Sequence, residues 1–249
     1  MDEKTTRLLF TEEPYFDESF IGYIMRLAEL NEIPDIRWIM KLVRPGKFFK
    51  YDFKFSFDFR INVSNLSKIT GVEQNLLSNL LYYHEAGQIR GRDESLMIFN
   101  QLIHHDLIRR ENPKICSHCL AEKNYCRKVW ELALVTTCPI HQCLLLDYCP
   151  NCLEKIDWAR PKINLCHCGF DFRKAEIFHL KEIELRLSKY LYQQFNLSTG
   201  QPEFNFAYPL KTLSISALIK FLLFVATYFS VTYDKYVESL FKYIIQVAS

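Results

Sequence analysis

Four closely spaced pairs of metal-binding side chains lie between residues 116 and 168. They are Cys116-x2-Cys119, Cys138-x2-His141, Cys149-x2-Cys152 and Cys166-x-Cys168. Thiolates and imidazoles are the usual ligands of structural Zn²⁺, which binds four of them in a tetrahedron. The sequence therefore predicts two structural Zn²⁺ sites whose ligands are these eight residues.

The order of the ligands allows two pairings. Neighbouring pairs can share a metal, which gives two tandem sites, or alternate pairs can share one, as in the cross-braced RING domain. Seven residues separate His141 from Cys149, whereas a cross-brace has only a few there. Leu144, Leu145 and Leu146 lie in this gap and are typical of a strand. The spacing favours tandem sites.

The chain contains nine cysteines, an odd number, and Met1-Asp2-Glu3-Lys4 lacks the features of a secretion signal. We therefore expect reduced thiols and a cytoplasmic protein. Residues 213 to 231 are mostly apolar, but Lys220 near the middle favours a buried helix over a membrane span.

The formal net charge of +2 does not by itself indicate a nucleic-acid-binding protein. Any contact with nucleic acid has to come from local cations. The candidates from the sequence are Arg90, Arg92, Lys123, Arg127 and Lys128.

The N-terminal half has helical periodicity. Residues 18 to 30 predict a helix with Asp17 as its N-cap, and residues 35 to 43 predict a second helix. Residues 63 to 83 predict a helix-turn-helix with Ser64 as the first N-cap and Gly71 at the turn. Its second helix, 73 to 84, has no exposed cation, so a helical hairpin without DNA contact is an equal alternative.

Aromatic residues alternate with polar ones from Phe49 to Arg60. This period of two predicts a strand or an extended arm with one buried aromatic face. A stacking surface for bases or a docking face for a partner fits the same pattern, and the sequence does not decide between them.

Helical patterns return after the cysteine-rich segment, at residues 181 to 195, 213 to 231 and 234 to 247, with a loop over 196 to 209. We expect a mainly α fold with small zinc-ribbon or zinc-finger β elements. Three regions are predicted: a helix-turn-helix domain (1–112), a tandem zinc-finger module (113–175) and a C-terminal helical region (176–249).

A catalytic role does not fit the motifs. A catalytic zinc site keeps one coordination position open, whereas each predicted site has four protein ligands. The deaminase signature, the Walker loop and the Gly-x-Ser-x-Gly motif do not occur in the sequence. The chain is therefore predicted to be non-enzymatic, with zinc as a structural element.

The residues around the ligands carry a family resemblance. The relevant motifs are Glu18-Ser-Phe-Ile-Gly-Tyr-Ile, Cys116-Ser-His-Cys119, Tyr125-Cys-Arg127, Trp130, Cys138-Pro-Ile-His141, Leu144-Leu-Leu, Cys149-Pro-Asn-Cys152 and Cys166-His-Cys-Gly169. Over roughly residues 10 to 175, the chain closely resembles the TniQ family of Tn7-like transposons, which includes TnsD. Ser117 stands where the family usually has proline.

The resemblance implies a role in selecting the target of DNA transposition. Family members connect a target-recognition element to an AAA+ transposition regulator (TnsC-like). The short, nearly neutral chain resembles adaptors that bind a CRISPR effector with its guide RNA or target DNA. The alternatives are a sequence-specific DNA-binding target selector and, from another class, a RING-type ubiquitin ligase component. A homodimer through the C-terminal helices is a further expectation.

Overall fold

The computed structural model describes residues 7–43, 61–83, 95–109, 111–197 and 208–232. Within these ranges the protein is mostly helical, with two small antiparallel sheets. The helices are α1 (Phe20–Leu30), α2 (Arg37–Val43), α3 (Val63–Thr70), α4 (Gln74–Ser78), α5 (Ser117–Glu122), α6 (Glu182–Gln194) and α7 (Ile215–Thr232). The strands are β1 (Ser95–Ile98), β2 (Gln101–His104), β3 (Thr137–Cys138) and β4 (Cys143–Leu144).

Helix α1 is buried on nearly all sides, from Phe20 through Ala28. A helix that is apolar on nearly all sides is typical of a protein interior. Within Phe20–Ala28, Arg26 is the one charged residue, and it is buried. The N-cap is Ser19, whose Oγ accepts a hydrogen bond from Gly22 N at 3.1 Å. The prediction of Asp17 as N-cap was wrong, because Asp17 lies in the turn before the helix and its carboxylate accepts hydrogen bonds from Tyr125 and Arg127.

The C-terminal end of α1 has the hydrogen bonds of a Schellman motif. Ile33 N donates to Ala28 O at 2.9 Å, and Glu32 N donates to Glu29 O at 3.2 Å. Glu32 therefore occupies the left-handed position, with φ of 53°, where glycine is usual. This helix end contains backbone strain of about 1 kcal/mol.

Helices α3 and α4 form the predicted helix-turn-helix. Gly71 ends α3 with φ of 75°, a conformation that glycine adopts without a steric penalty. The first N-cap is Asn62 rather than Ser64, since the Asn62 side chain accepts from Asn65 N at 2.9 Å. Helix α4 has five residues, so it is much shorter than the predicted 73 to 84.

Strands β1 and β2 form a hairpin that the sequence patterns did not indicate. Four residue pairs lie in register, from Ser95 with His104 to Ile98 with Gln101. Phe99 and Asn100 form the two-residue turn, both with positive φ (48° and 62°). Asparagine is common in such turns but phenylalanine is not, which explains why the turn escaped prediction.

The chain divides into two compact units, each formed by several stretches of sequence. The first consists of Met1–Tyr83, Arg109–Leu132 and Leu145–Glu176, and the second of His84–Ile108, Ala133–Leu144 and Ile177–Ser249. In the second unit, α7 packs against β2 and α6 against β3. The predicted division into three regions stays a prediction.

Helices α6 and α7 match the predicted helices at 181 to 195 and 213 to 231 closely. The predicted strand over 144 to 146 is shorter, since only Leu144 belongs to β4. The aromatic alternation at 49 to 60 and the predicted helix at 234 to 247 lie outside the described residues. Among the described helices, none has the length and apolar character needed to cross a membrane.

Candidate metal centres

The first group of ligands combines a helix start with a hairpin. Cys116 is the N-cap of α5 and Cys119 lies in its first turn. Cys138 is the last residue of β3, and His141 lies in the loop that leads to β4. The ligand atoms of these four residues lie within 4.8 Å of one another, and we call this group the first tetrad.

The second tetrad is built from two tight turns. Its members are Cys149, Cys152, Cys166 and Cys168, and their sulfur atoms also lie within 4.8 Å of one another. Gly169 N donates to Cys166 O at 2.9 Å, and Gly169 has φ of 84°, which turns the chain back after Cys168. On the other side, Leu153 N donates to Cys149 O at 2.9 Å and closes the first turn.

The separations between ligand atoms fit tetrahedral coordination. Zn–S bonds of about 2.3 Å and Zn–N bonds of about 2.05 Å give tetrahedral edges of about 3.8 Å for S···S and about 3.6 Å for S···N. Cys149 Sγ and Cys168 Sγ are 3.7 Å apart, and Cys152 Sγ and Cys166 Sγ 3.6 Å. In the first tetrad, Cys138 Sγ is 3.6 Å from His141 Nδ1. Both tetrads can therefore hold a metal ion.

All nine cysteines lie in the described residues and none forms a disulfide. The two groups contain adjacent pairs of ligands, so the arrangement is tandem. The RING alternative was wrong, because it requires ligands from alternate pairs in each site. Cys126 and Cys143 are buried but do not belong to either group.

One ligand of the second tetrad is prepared for metal binding by a neighbouring amide. Asn151 Nδ2 donates to Cys168 Sγ at 3.4 Å, and this bond, together with a backbone hydrogen bond at Phe170 and the neighbouring Cys152 and Cys166, lowers the pKa of that thiol to about 6. A metal binds the thiolate rather than the thiol. Cys168 is exposed, so this thiolate is accessible at neutral pH.

Two distant sequence motifs meet through backbone hydrogen bonds. Ser19 N donates to Cys126 O at 2.8 Å, and Glu18 pairs with Arg127 as an antiparallel bridge. Gly22 lies at this junction: a Cβ there would be 2.7 Å from Ser19 Oγ and 2.9 Å from Cys126 Cβ. Glycine at position 22 is therefore needed for the close approach of α1 to the segment after the first cysteine pair.

Side chains add to the same junction. Arg127 Nη1 donates to Asp17 Oδ2 at 2.5 Å, and Tyr125 Oη donates to Asp17 Oδ1 at 2.9 Å. The Tyr125 ring stacks on Tyr15 with centroids 4.2 Å apart. Arg26 forms a second buried pair with Glu18, at 2.7 Å. The motifs at 17 to 22 and 125 to 127 thus belong to one packed element.

The predicted nucleic-acid contacts fall into three groups. Arg90 and Arg92 lie outside the described residues. Lys123 is exposed, with its Nζ 5.4 Å from the centroid of the Tyr15 ring. Arg127 pairs with Asp17 and its side chain is 18% exposed. Lys128 is 2% exposed, so a phosphate contact by Lys128 does not fit the structure.

Lys128 instead supports the end of the helix-turn-helix. Its Nζ donates to the backbone oxygens of Asn79 at 2.7 Å and Leu81 at 2.9 Å. Burial lowers the pKa of Lys128 to about 8 and raises that of Glu131 to about 7. Tyr82 Oη donates to Glu131 Oε2 at 2.5 Å. Sequence reasoning missed this buried cluster, since Lys128 and Glu131 look like ordinary surface residues.

Comparison with known families agrees with this architecture. The sequence model of the TniQ family matches residues 9–145, more than half of the chain. The match includes the helix-turn-helix and the first tetrad and ends before Cys149. No curated protein matches the chain significantly.

Proposed function

The chain belongs to the TniQ family, and on that premise we propose that it links an RNA-guided CRISPR effector at its target DNA to an AAA+ transposition regulator. As a family member it is a non-enzymatic target-selection protein of Tn7-like transposition. The proposal specifies which partners it joins and places it in the bacterial cytoplasm, at the nucleoid. The proposal requires that the chain act mainly by binding proteins rather than by recognising a DNA sequence.

Helix α4 is the observation that carries the proposal. Its five residues, Gln74–Ser78, span about 7.5 Å. A recognition helix presents its N-terminal residues to base edges in the major groove. In this chain the N-cap of α4 is Glu73, which is exposed, and its carboxylate is repelled by DNA phosphates. A short helix that begins with a negative charge is poorly suited to reading DNA.

The attachment of α4 supports the same conclusion. Lys128 binds the backbone just after α4 and is buried with Glu131 and Tyr82. The helix-turn-helix is therefore packed firmly against the segment that follows α5, within one compact unit. This arrangement provides a rigid surface for protein partners.

We assign Zn²⁺ to both tetrads, one with three thiolates and one imidazole and the other with four thiolates. The separations of 3.6 and 3.7 Å between ligand atoms match tetrahedral Zn²⁺. Four protein ligands close each site, so the metal stabilises the fold, by an apparent 10 kcal/mol or so for zinc in small domains. The ions would support the rigid surface and take no part in chemistry.

The decisive experiment is recruitment on immobilised target DNA. The cognate AAA+ regulator is added with ATP in the presence of the effector and its matching guide RNA, with or without this chain. We expect retention of the regulator to depend on both the effector and the chain. A non-matching guide is the control. Absence of recruitment with the matching guide, at saturating chain concentration, would refute the adaptor role.

The alternative is direct reading of an attachment site on DNA. Footprinting of the protein alone on the native insertion site tests it, and the adaptor proposal predicts no site-specific protection. Protection that falls steeply with salt and is lost in Gln74→Ala/Asn75→Ala would instead identify α4 as a DNA reader. Lys123 remains a proposed minor contact with nucleic acid, as do Arg90 and Arg92.

A further inference from the structure

Three consecutive metal-binding side chains lie outside both tetrads, at the end of β2. His104 is the last residue of this strand, and His105 and Asp106 begin a 3₁₀ turn, His105–Leu107. Their ligand atoms lie within 4.8 Å of one another. Neither the motifs in the sequence nor the family match gives these residues a role.

The carboxylate of Asp106 faces both imidazoles. Its Oδ2 is 3.4 Å from His104 Nδ1, and its Oδ1 is 3.3 Å from His105 Nδ1. These separations exceed the usual 2.7–3.2 Å of N–H···O hydrogen bonds. Each is close to the edge of about 3.4 Å expected between a nitrogen and an oxygen ligand at about 2.0–2.1 Å from a tetrahedral metal, although the two separations involve different oxygens of Asp106. The same geometric criterion is met by the two tetrads.

The scaffold under these residues is a paired hairpin that packs against a helix, and the side chains are accessible. Ser95 pairs with His104 in the hairpin, and α7 packs against β2. The side chains of His104 and His105 are 21% and 22% exposed, and that of Asp106 is 71% exposed. An ion can therefore reach the group from solvent without unfolding of the hairpin.

We propose that His104, His105 and Asp106 form a third metal site, which takes a divalent transition-metal ion. Two imidazoles and one carboxylate are suited to Zn²⁺, Co²⁺, Ni²⁺ or Cu²⁺. The ion replaces a weak contact in which Asp106 N donates to His104 Nδ1 at 3.4 Å. Three protein ligands leave one position for water, so the ion exchanges more readily than those in the closed tetrads. The inference is independent of the proposed function.

Cobalt titration of the metal-free, reduced full-length chain distinguishes the three sites. Thiolate ligands produce an intense charge-transfer absorption with Co²⁺, whereas nitrogen and oxygen ligands do not. We expect that absorption to saturate at two equivalents of Co²⁺ per chain. Equilibrium dialysis should detect a third equivalent, bound with lower affinity. Saturation of total binding at two equivalents would overturn the proposal.

Substitutions locate the third equivalent. His104→Ala/His105→Ala should abolish it and leave the two thiolate-bound equivalents unchanged, which also verifies that the variant is folded. His179→Ala is the matched control, since His179 is an exposed histidine of the same unit. If the double variant does not fold, Asp106→Asn serves instead and should weaken the third site at least tenfold. Persistence of the third equivalent in these variants at parental affinity would refute the assignment.

Discussion

Gly22 provides the sharpest test of the packing around α1. In an exposed helix, replacing glycine by alanine stabilises the folded state by about 1 kcal/mol. Here the added methyl would lie 2.7 Å from Ser19 Oγ and 2.9 Å from Cys126 Cβ, closer than nonbonded atoms approach. The structure therefore predicts that Gly22→Ala has the opposite sign.

The size of the effect follows from what has to move. Rotation of the Ser19 side chain away from the methyl removes the N-cap hydrogen bond, a loss of about 1 kcal/mol. Cys126 is held by the backbone bond from Ser19 N at 2.8 Å, so overpacking against it adds about 1–3 kcal/mol. After the gain in helix propensity, we expect a net destabilisation of about 1–3 kcal/mol.

Urea unfolding at a buffered free zinc concentration measures this difference through tryptophan fluorescence. Ser19→Ala isolates the N-cap contribution. A double-mutant cycle with Cys126→Gly tests the contact itself, because removing that Cβ should relieve the overlap and give a favourable coupling of at least about 1 kcal/mol. A Gly22→Ala variant as stable as the parent protein, or more so, would show that the close approach of α1 does not exist.

Four other substitutions have defined outcomes. Glu32→Gly should raise the free energy of unfolding by up to about 1 kcal/mol in urea, since glycine adopts the positive φ without strain. Lys128→Met should lower it by about 3 kcal/mol, because buried carbonyl oxygens and Glu131 lose their cation, whereas Lys123→Met on the surface should change it by less than about 0.5 kcal/mol. Burial raises the pKa of Glu131 from 4.5 to about 7, so its contribution to stability is complete below pH 4.5 and is lost as the pH rises to 7. The free energy of unfolding of Glu131→Gln should therefore exceed that of the parent protein, by a margin that grows to about 3 kcal/mol as the pH rises from 4.5 to 7. Urea unfolding at several pH values measures this difference. Cys152→Ser should reduce thiolate-bound cobalt from two equivalents to one, whereas serine at a cysteine outside both tetrads should leave two.

Local patterns predicted most of the helices in the described ranges, although not α5. Apolar periodicity placed α1, α2, α6 and α7 within about two residues of their observed ends, because these helices have long apolar faces. Prediction was weaker for short elements. Helix α4 ends after five residues, and the β1–β2 hairpin was missed, since four-residue strands carry little pattern and Phe99 is an unusual turn residue.

The sites divide in a similar way. The eight candidate ligands followed from the close spacing within each pair, and their tandem grouping followed from the seven-residue gap between His141 and Cys149. The roles of the cations did not follow. Lys123, Arg127 and Lys128 are near neighbours in sequence, but the first is exposed, the second pairs with Asp17 and the third is buried.

The sequence alone determined the eight candidate ligands of the two tetrads and most of the described helices, because both depend on residues close together in the chain. Only the tertiary structure decided why Gly22 stands inside a helix and which residues Lys128 binds. Those answers depend on Cys126, Asn79 and Leu81, which lie far away in sequence. A buried lysine and a surface lysine have the same side chain, and only the fold determines how much water each retains.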